Sequence, residues 1–118
     1  MRKFLASFRW ARHGLQTVWR EEANFRTEIF LGVAMLAFAF LFDFSFIEWV
    51  IVIACITIVL AAEVVNTVIE DLCNKIEPHH DPAIGKIKDM AAAFVLLAVS
   101  GAGIMGALLI ASHFFDQY

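Results

Sequence analysis

The sequence predicts an all-α integral membrane protein with three transmembrane helices and an N-terminal amphipathic helix at the interface. Three observations carry that expectation. Hydrophobic residues fill 61% of the 118 positions and mean hydropathy is +0.75, well above the roughly 45–50% apolar share of soluble domains. Three apolar stretches approach or exceed the length needed to cross about 30 Å of hydrocarbon. The 9 basic residues fall in only two segments. With a net charge of −3 there is no global basic field, which excludes nucleic acid as a partner class.

The first element is the amphipathic helix, expected over about residues 3–25. Phe4, Leu5, Phe8, Ala11, Leu15, Val18 and Trp19 recur at three- and four-residue intervals, with Arg2, Arg9, Arg12, Gln16 and Arg20 at other positions. Such a helix turns its basic residues toward anionic headgroups. Met1 to Arg26 offers no uninterrupted apolar run followed by a cleavage site, so it is expected to stay on the protein.

The first span is expected over about 28–47, with Asp43 interrupting its apolar run. The second, over about 49–70, carries Glu63 and Asn66 at depth and meets Glu70 and Asp71 at its end. A loop over about 71–89 follows, marked by Pro78 and Pro82. The third span, about 90–113, contains the 23 uncharged residues from Met90 to Ser112. Residues 1–118 therefore form one domain.

Arg2, Lys3, Arg9, Arg12, Arg20 and Arg26 precede the first span, and Lys75, Lys86 and Lys88 lie between the second and third. Both segments are cytoplasmic by the positive-inside rule. The connection from Asp43 to Glu48 and the tail from His113 to Tyr118 carry no Lys or Arg and fall on the other side.

Gly101, Gly103 and Gly106 spell G-x-G-x-x-G, a dinucleotide fingerprint only where a strand precedes it. Inside an uncharged span the small residues instead allow close helix approach. His79, His80 and Asp81 lack zinc-site spacing and suit contact with a polar ligand better than metal binding. Cys55 and Cys73 lie about 27 Å apart on one continuous helix and cannot pair.

Glu63, Asn66 and Glu70 form the informative set. Offsets of three and seven put them within about a 60° arc of one helix face, with Glu63 about 10 Å deeper than Glu70. Intramembrane carboxylates are costly and mark function by default. Removal from water favours the neutral form of an acid, which suits a general base acting on a buried hydroxyl or a proton carrier in a transporter. Glu70, with Glu21, Glu22 and Glu28 near the start of the first span, could supply oxygen ligands for Mg²⁺ together with phosphate oxygens. Lys88 could meet phosphate as a point charge beside Asp89. A base below, with metal and phosphate above, fits phosphoryl transfer to a lipid alcohol.

Glu22-Ala-Asn-Phe-Arg26-Thr-Glu28, Ala62-Glu63-Val-Val-Asn66-Thr-Val-Ile-Glu70 and Gly85-Lys-Ile-Lys88-Asp89-Met-Ala-Ala together resemble the small bacterial integral-membrane lipid kinases, the diacylglycerol kinase and undecaprenol kinase family. The resemblance implies a homotrimer in the bacterial inner membrane, N-terminus cytoplasmic, that phosphorylates a lipid alcohol with ATP at sites between protomers. It assigns Glu63 as catalytic base with Asn66 beside it, and Glu22 and Glu70 as ligands of the Mg²⁺ carried by ATP. Lys88 and Asp89 would contact the nucleotide, with Lys3 matching a basic residue near the terminus of some members. Asn24, Arg26, Glu28 and Glu63 would meet the lipid, as would parts of Ser7 to Arg12. The chain departs from the family pattern at Asn74, where many members are acidic, and at His79-His80-Asp81-Pro82. The readings from other classes are a small proton-coupled transporter using Glu63 and a membrane assembly protein held by glycine packing.

Overall fold

The computed structural model describes residues 1–115 and consists of four helices: α1 (Arg2–Glu21), α2 (Ala23–Leu41), α3 (Phe46–Ile76) and α4 (Pro82–Phe115). Asp116, Gln117 and Tyr118, the end of the tail, lie outside the described residues. Helices α2, α3 and α4 are each long and apolar enough to cross a membrane.

α1 stops earlier than the amphipathic pattern suggested. Glu22 adopts an extended conformation (φ −114°, ψ 107°) and separates α1 from α2. Arg26 enforces the break, its Nη1 donating to the carbonyls of Trp19 at 2.6 Å and Arg20 at 3.0 Å. These belong to the carbonyls that a helix end leaves without internal partners.

The first span also shifts, from about 28–47 to α2 itself. Asp43 has φ 53°, a left-handed conformation that Asp tolerates better than most residues. It is a turn residue, not a charge within a span. The next helix starts at once because Ser45 and Glu48 form a reciprocal capping box: Glu48 N–H donates to Ser45 Oγ at 3.3 Å and Ser45 N–H to Glu48 Oε1 at 2.8 Å.

The expected loop over about 71–89 shrinks to residues 77–81, because α3 runs on to Ile76 and α4 begins at Pro82. Asp71, Asn74, Lys75, Lys86, Lys88 and Asp89 are polar without being helix breakers, so both helices continue past the apolar runs. Pro82 therefore opens a helix instead of marking a loop, where its missing N–H costs nothing. Asp81 caps it, its Oδ1 accepting from Ala83 N–H at 2.8 Å and Ile84 N–H at 3.1 Å. Asp81→Ala is expected to cost about 1 kcal/mol, read as a lowered thermal midpoint with the helices otherwise intact.

α3 is the centre, packed on α2 and more extensively on α4. Close approach of α2 depends on Gly32, where an added Cβ would sit 3.2 Å from Ile56 Cγ2. Ala39, Phe44, Val52 and Leu109 form a small buried cluster near the α2–α3 turn. α1 joins through its C-terminal end, with Val18 buried and the Trp19 ring 5.9 Å from Phe30. Its remaining large apolar side chains are exposed, as an interfacial helix requires.

Candidate functional site

The polar stripe of α3 lies where α3 faces the start of α2. Glu63 is 3% exposed and Asn66 9%, in a chain whose largest apolar side chains mostly stand exposed. Burying a carboxylate in preference to Phe or Leu is a costly arrangement, and packing needs do not explain it. Thr67 completes the buried polar set, its hydroxyl donating to the Glu63 carbonyl at 2.9 Å. Asn66 Nδ2 donates to Glu70 Oε1 at 3.3 Å, so the amide orients the next carboxylate along the helix.

Glu28 reaches the same place from α2, its carboxyl close to that of Glu63. Two buried oxygens there have no partner, Glu28 Oε2 and Asn66 Oδ1. Unpartnered buried acceptors are rare in folded proteins and demand an explanation. Both would be satisfied by a donor entering from outside the chain.

Glu22, in the break between α1 and α2, stands at the upper rim. Its carboxyl is raised above the usual carboxylate range, first by burial and then by the negative charges of Glu70, Glu63, Asp71 and Glu21. Among the described residues no Lys or Arg forms an ion pair with any of these acids. A cluster of carboxylates without a cation is the electrostatic complement of a divalent ion. No three His, Cys, Asp or Glu side chains among the described residues converge tightly enough to hold a metal by themselves. Glu22 and Glu70 thus fit Mg²⁺ as part of a ligand set completed by phosphate oxygens and water.

Lys88 approaches from α4 and donates to Asn74 Oδ1 on α3, one turn beyond Glu70. The contact fixes the ammonium without neutralising it, since Asn is uncharged. Asp89 is exposed on the wall of a cavity of about 530 Å³ that His80 and Lys86 also line.

Other candidates are placed differently. Lys3 sits in the first turn of α1, nearly 30 Å from Glu22 along that helix, and is not brought to the cluster within one chain. Arg26 is committed to the α1 carbonyls, while Asn24 is exposed beside it. Arg12, Gln16 and Arg20 line a cleft of about 740 Å³ between α1 and the bundle. An added Cβ at Gly101, Gly103 or Gly106 would meet nothing within 4 Å, so no helix of the same chain packs there. Gly103 and Gly106 instead line an apolar cavity of about 300 Å³ that begins at Glu28 and runs toward Leu109.

His113 meets Glu48, 65 residues away in the chain, a contact that no local pattern announces as a whole. The Ser45-x-x-Glu48 spacing was the available signal for one half of it.

The profile described as prokaryotic diacylglycerol kinase matches residues 9–110. The diacylglycerol kinase of Escherichia coli (strain K12) is 35% identical over 112 residues, covering 92% of this chain and 88% of that protein. The undecaprenol kinase of Bacillus subtilis is 32% identical over 109 residues, covering 92% and 89% respectively. The diacylglycerol kinase of Pseudomonas aeruginosa is 32% identical over 101 residues, covering 84% and 82%. The match takes in every carboxylate of the cluster, both faces of the α2–α3 contact and Lys88 on α4. The chain belongs to the prokaryotic diacylglycerol kinase family.

Proposed function

We propose that this chain transfers the γ-phosphate of ATP to the primary hydroxyl of a membrane lipid alcohol, diacylglycerol or undecaprenol, yielding phosphatidic acid or undecaprenyl phosphate. It is a lipid kinase, a phosphotransferase with an alcohol acceptor, and a multi-pass membrane protein. Family membership sets aside the transporter reading of Glu63. The observation that carries the proposal is the pair of unpartnered buried oxygens, Glu28 Oε2 and Asn66 Oδ1, beside Glu63.

In this reading the lipid hydroxyl enters between α2 and α3 and gives its proton to Glu63 as its oxygen attacks phosphorus. Glu28 stands beside Glu63, and its unpartnered Oε2 is open to a donor on the entering lipid. Asn66 Oδ1 accepts the hydroxyl hydrogen on entry, before it turns to Glu63 for transfer, and Asn66 Nδ2 holds Glu70 toward the nucleotide. Glu22 and Glu70 would hold the Mg²⁺ of Mg-ATP, which would supply positive charge beside the phosphates. Lys88, steadied by Asn74, meets a phosphate, and Asp89 faces the rest of the nucleotide.

The protein would lie in the bacterial inner membrane with its N-terminus and the carboxylate cluster cytoplasmic, since all Lys and Arg residues map to that side. The small buried core of a single chain favours self-association, and the family resemblance implies a homotrimer, in which Lys3 of a neighbouring protomer could approach the nucleotide. Purified protein with Mg²⁺ and γ-labelled ATP is expected to label both lipids in mixed micelles, with one preferred by kcat/KM. No labelled lipid from either alcohol would sink the proposal.

A further inference from the structure

At the end of the bundle away from the carboxylate cluster, one imidazole joins three helix ends. His113, in the last turn of α4, places Nδ1 2.9 Å from Glu48 Oε2 and 3.0 Å from Oε1. Its Nε2 lies 2.8 Å from the carbonyl oxygen of Phe42, the residue that caps α2. Both side chains are largely covered, 11% exposed for His113 and 16% for Glu48. The ring is fixed in its plane by Phe44, with centroids 4.7 Å apart, and by Phe114 edge-on at 5.0 Å.

A carboxylate and a backbone carbonyl are both acceptors. A neutral imidazole has one N–H and one lone pair, so it can donate to only one of them and must point its lone pair at the other. Only the imidazolium donates to both. The surrounding backbone favours that charge state as well. Glu48 lies in the first turn of α3, where a helix attracts negative charge, and His113 lies at the C-terminal ends of α4 and α2, which attract positive charge.

We propose that His113 is a proton-dependent clasp: as the imidazolium it ties the ends of α2, α3 and α4 together, and on losing its proton it releases α2. The bond to Glu48 is charge-assisted and bifurcated over two oxygens, so the remaining proton stays on Nδ1. The Nε2 lone pair then faces the Phe42 carbonyl and repels it. The released proton goes to water, and the turn from Phe42 to Ser45 loses its tie to α4. The clasp does not depend on the kinase chemistry: Glu63 stands about 22 Å further along α3.

The charged groups around the ring are few. Glu48 faces it from α3. Asp43, from the α2–α3 turn, forms no ion pair with it, and the described part of α4 places no other charged group beside it. Asp116 follows three positions later in the sequence.

Ring-nitrogen NMR of the full-length, ¹⁵N-histidine-labelled protein in micelles tests the clasp, with His113 assigned by its loss in H113Q. In the doubly protonated form both ring nitrogens are expected to carry protons, and in the neutral form Nδ1 alone, with E48Q expected to move that proton to Nε2. A neutral wild-type ring protonated at Nε2 overturns the proposal, and needs no variant to fold. Across the pH change that takes the ring from the first form to the second, the thermal midpoint of the wild type is expected to fall about 5 °C further than that of H113Q. D43N and D116N are expected to keep the wild-type fall. An equal fall in H113Q, or its loss in D43N or D116N, would also reject the clasp.

Discussion

Glu63→Gln is expected to lower turnover by about 10²–10⁴-fold while leaving the affinity for Mg-ATP within a factor of about two of the wild type. The separation follows from position. Glu63 is buried against Glu28 and Asn66, about 10 Å deeper along α3 than Glu70, so the change removes a proton acceptor without removing a charge from the metal-binding rim. Gln keeps the volume and one carbonyl acceptor, so packing between α2 and α3 is preserved. The measurement pairs single-turnover phosphate transfer with calorimetric titration of the nucleotide. A loss of ATP affinity comparable to the loss of rate would place Glu63 among the nucleotide ligands and displace it as the base.

Glu22→Gln and Glu70→Gln are expected to do the opposite, weakening apparent Mg-ATP binding by about 10–100-fold, the equivalent of one charge-assisted contact of about 1.5–3 kcal/mol. The pH dependence distinguishes Glu22. Its carboxyl holds a proton to higher pH than an ordinary glutamate, chiefly through burial, with Glu70, Glu63, Asp71 and Glu21 adding repulsion. The folded chain therefore binds that proton more tightly than the unfolded chain. The resulting stability is full below the ordinary carboxylate range and is lost as pH rises through the raised folded value. Mg²⁺ competes with the proton for the same oxygens, so apparent magnesium affinity should rise with pH over that interval in the wild type. The slope should flatten in E22Q. Magnesium titrations at several pH values that gave parallel curves for wild type and E22Q would remove Glu22 from the ligand set.

The sequence made the spans and the stripe legible for one physical reason. Charges in an apolar chain are costly, so each of Glu63, Asn66 and Glu70 stood out against its neighbours, and their offsets placed them on one face of one helix. Helix ends were harder to read. Polar residues such as Asn74 and Lys86 favour neither helix nor loop strongly enough to locate an end, so the connection between α3 and α4 looked nearly four times as long as residues 77–81. The connection from Asp43 was legible, but the bound of the first span ran past it, because the left-handed backbone of Asp43 is a property of the turn and not of the residue type alone. Contacts between distant segments were invisible in the pattern. Nothing in local spacing indicates that Arg26 closes α1, that Asn74 steadies Lys88, or that His113 meets Glu48. The approach of Glu28 to Glu63 depends on α2 lying close to α3, which Gly32 permits.

The break at Glu22 places the joint between α1 and α2 at the carboxylate cluster. α1 is held to the bundle mainly at its C-terminal end, and its exposed apolar side chains suit a lipid interface. The single extended residue between that helix and α2 is the one proposed to hold the metal. A tilt of α1 would therefore reach the Glu22 carboxylate through that joint and through the Arg26 contacts that brace it, so the two helices share one hinge at the rim of the cluster.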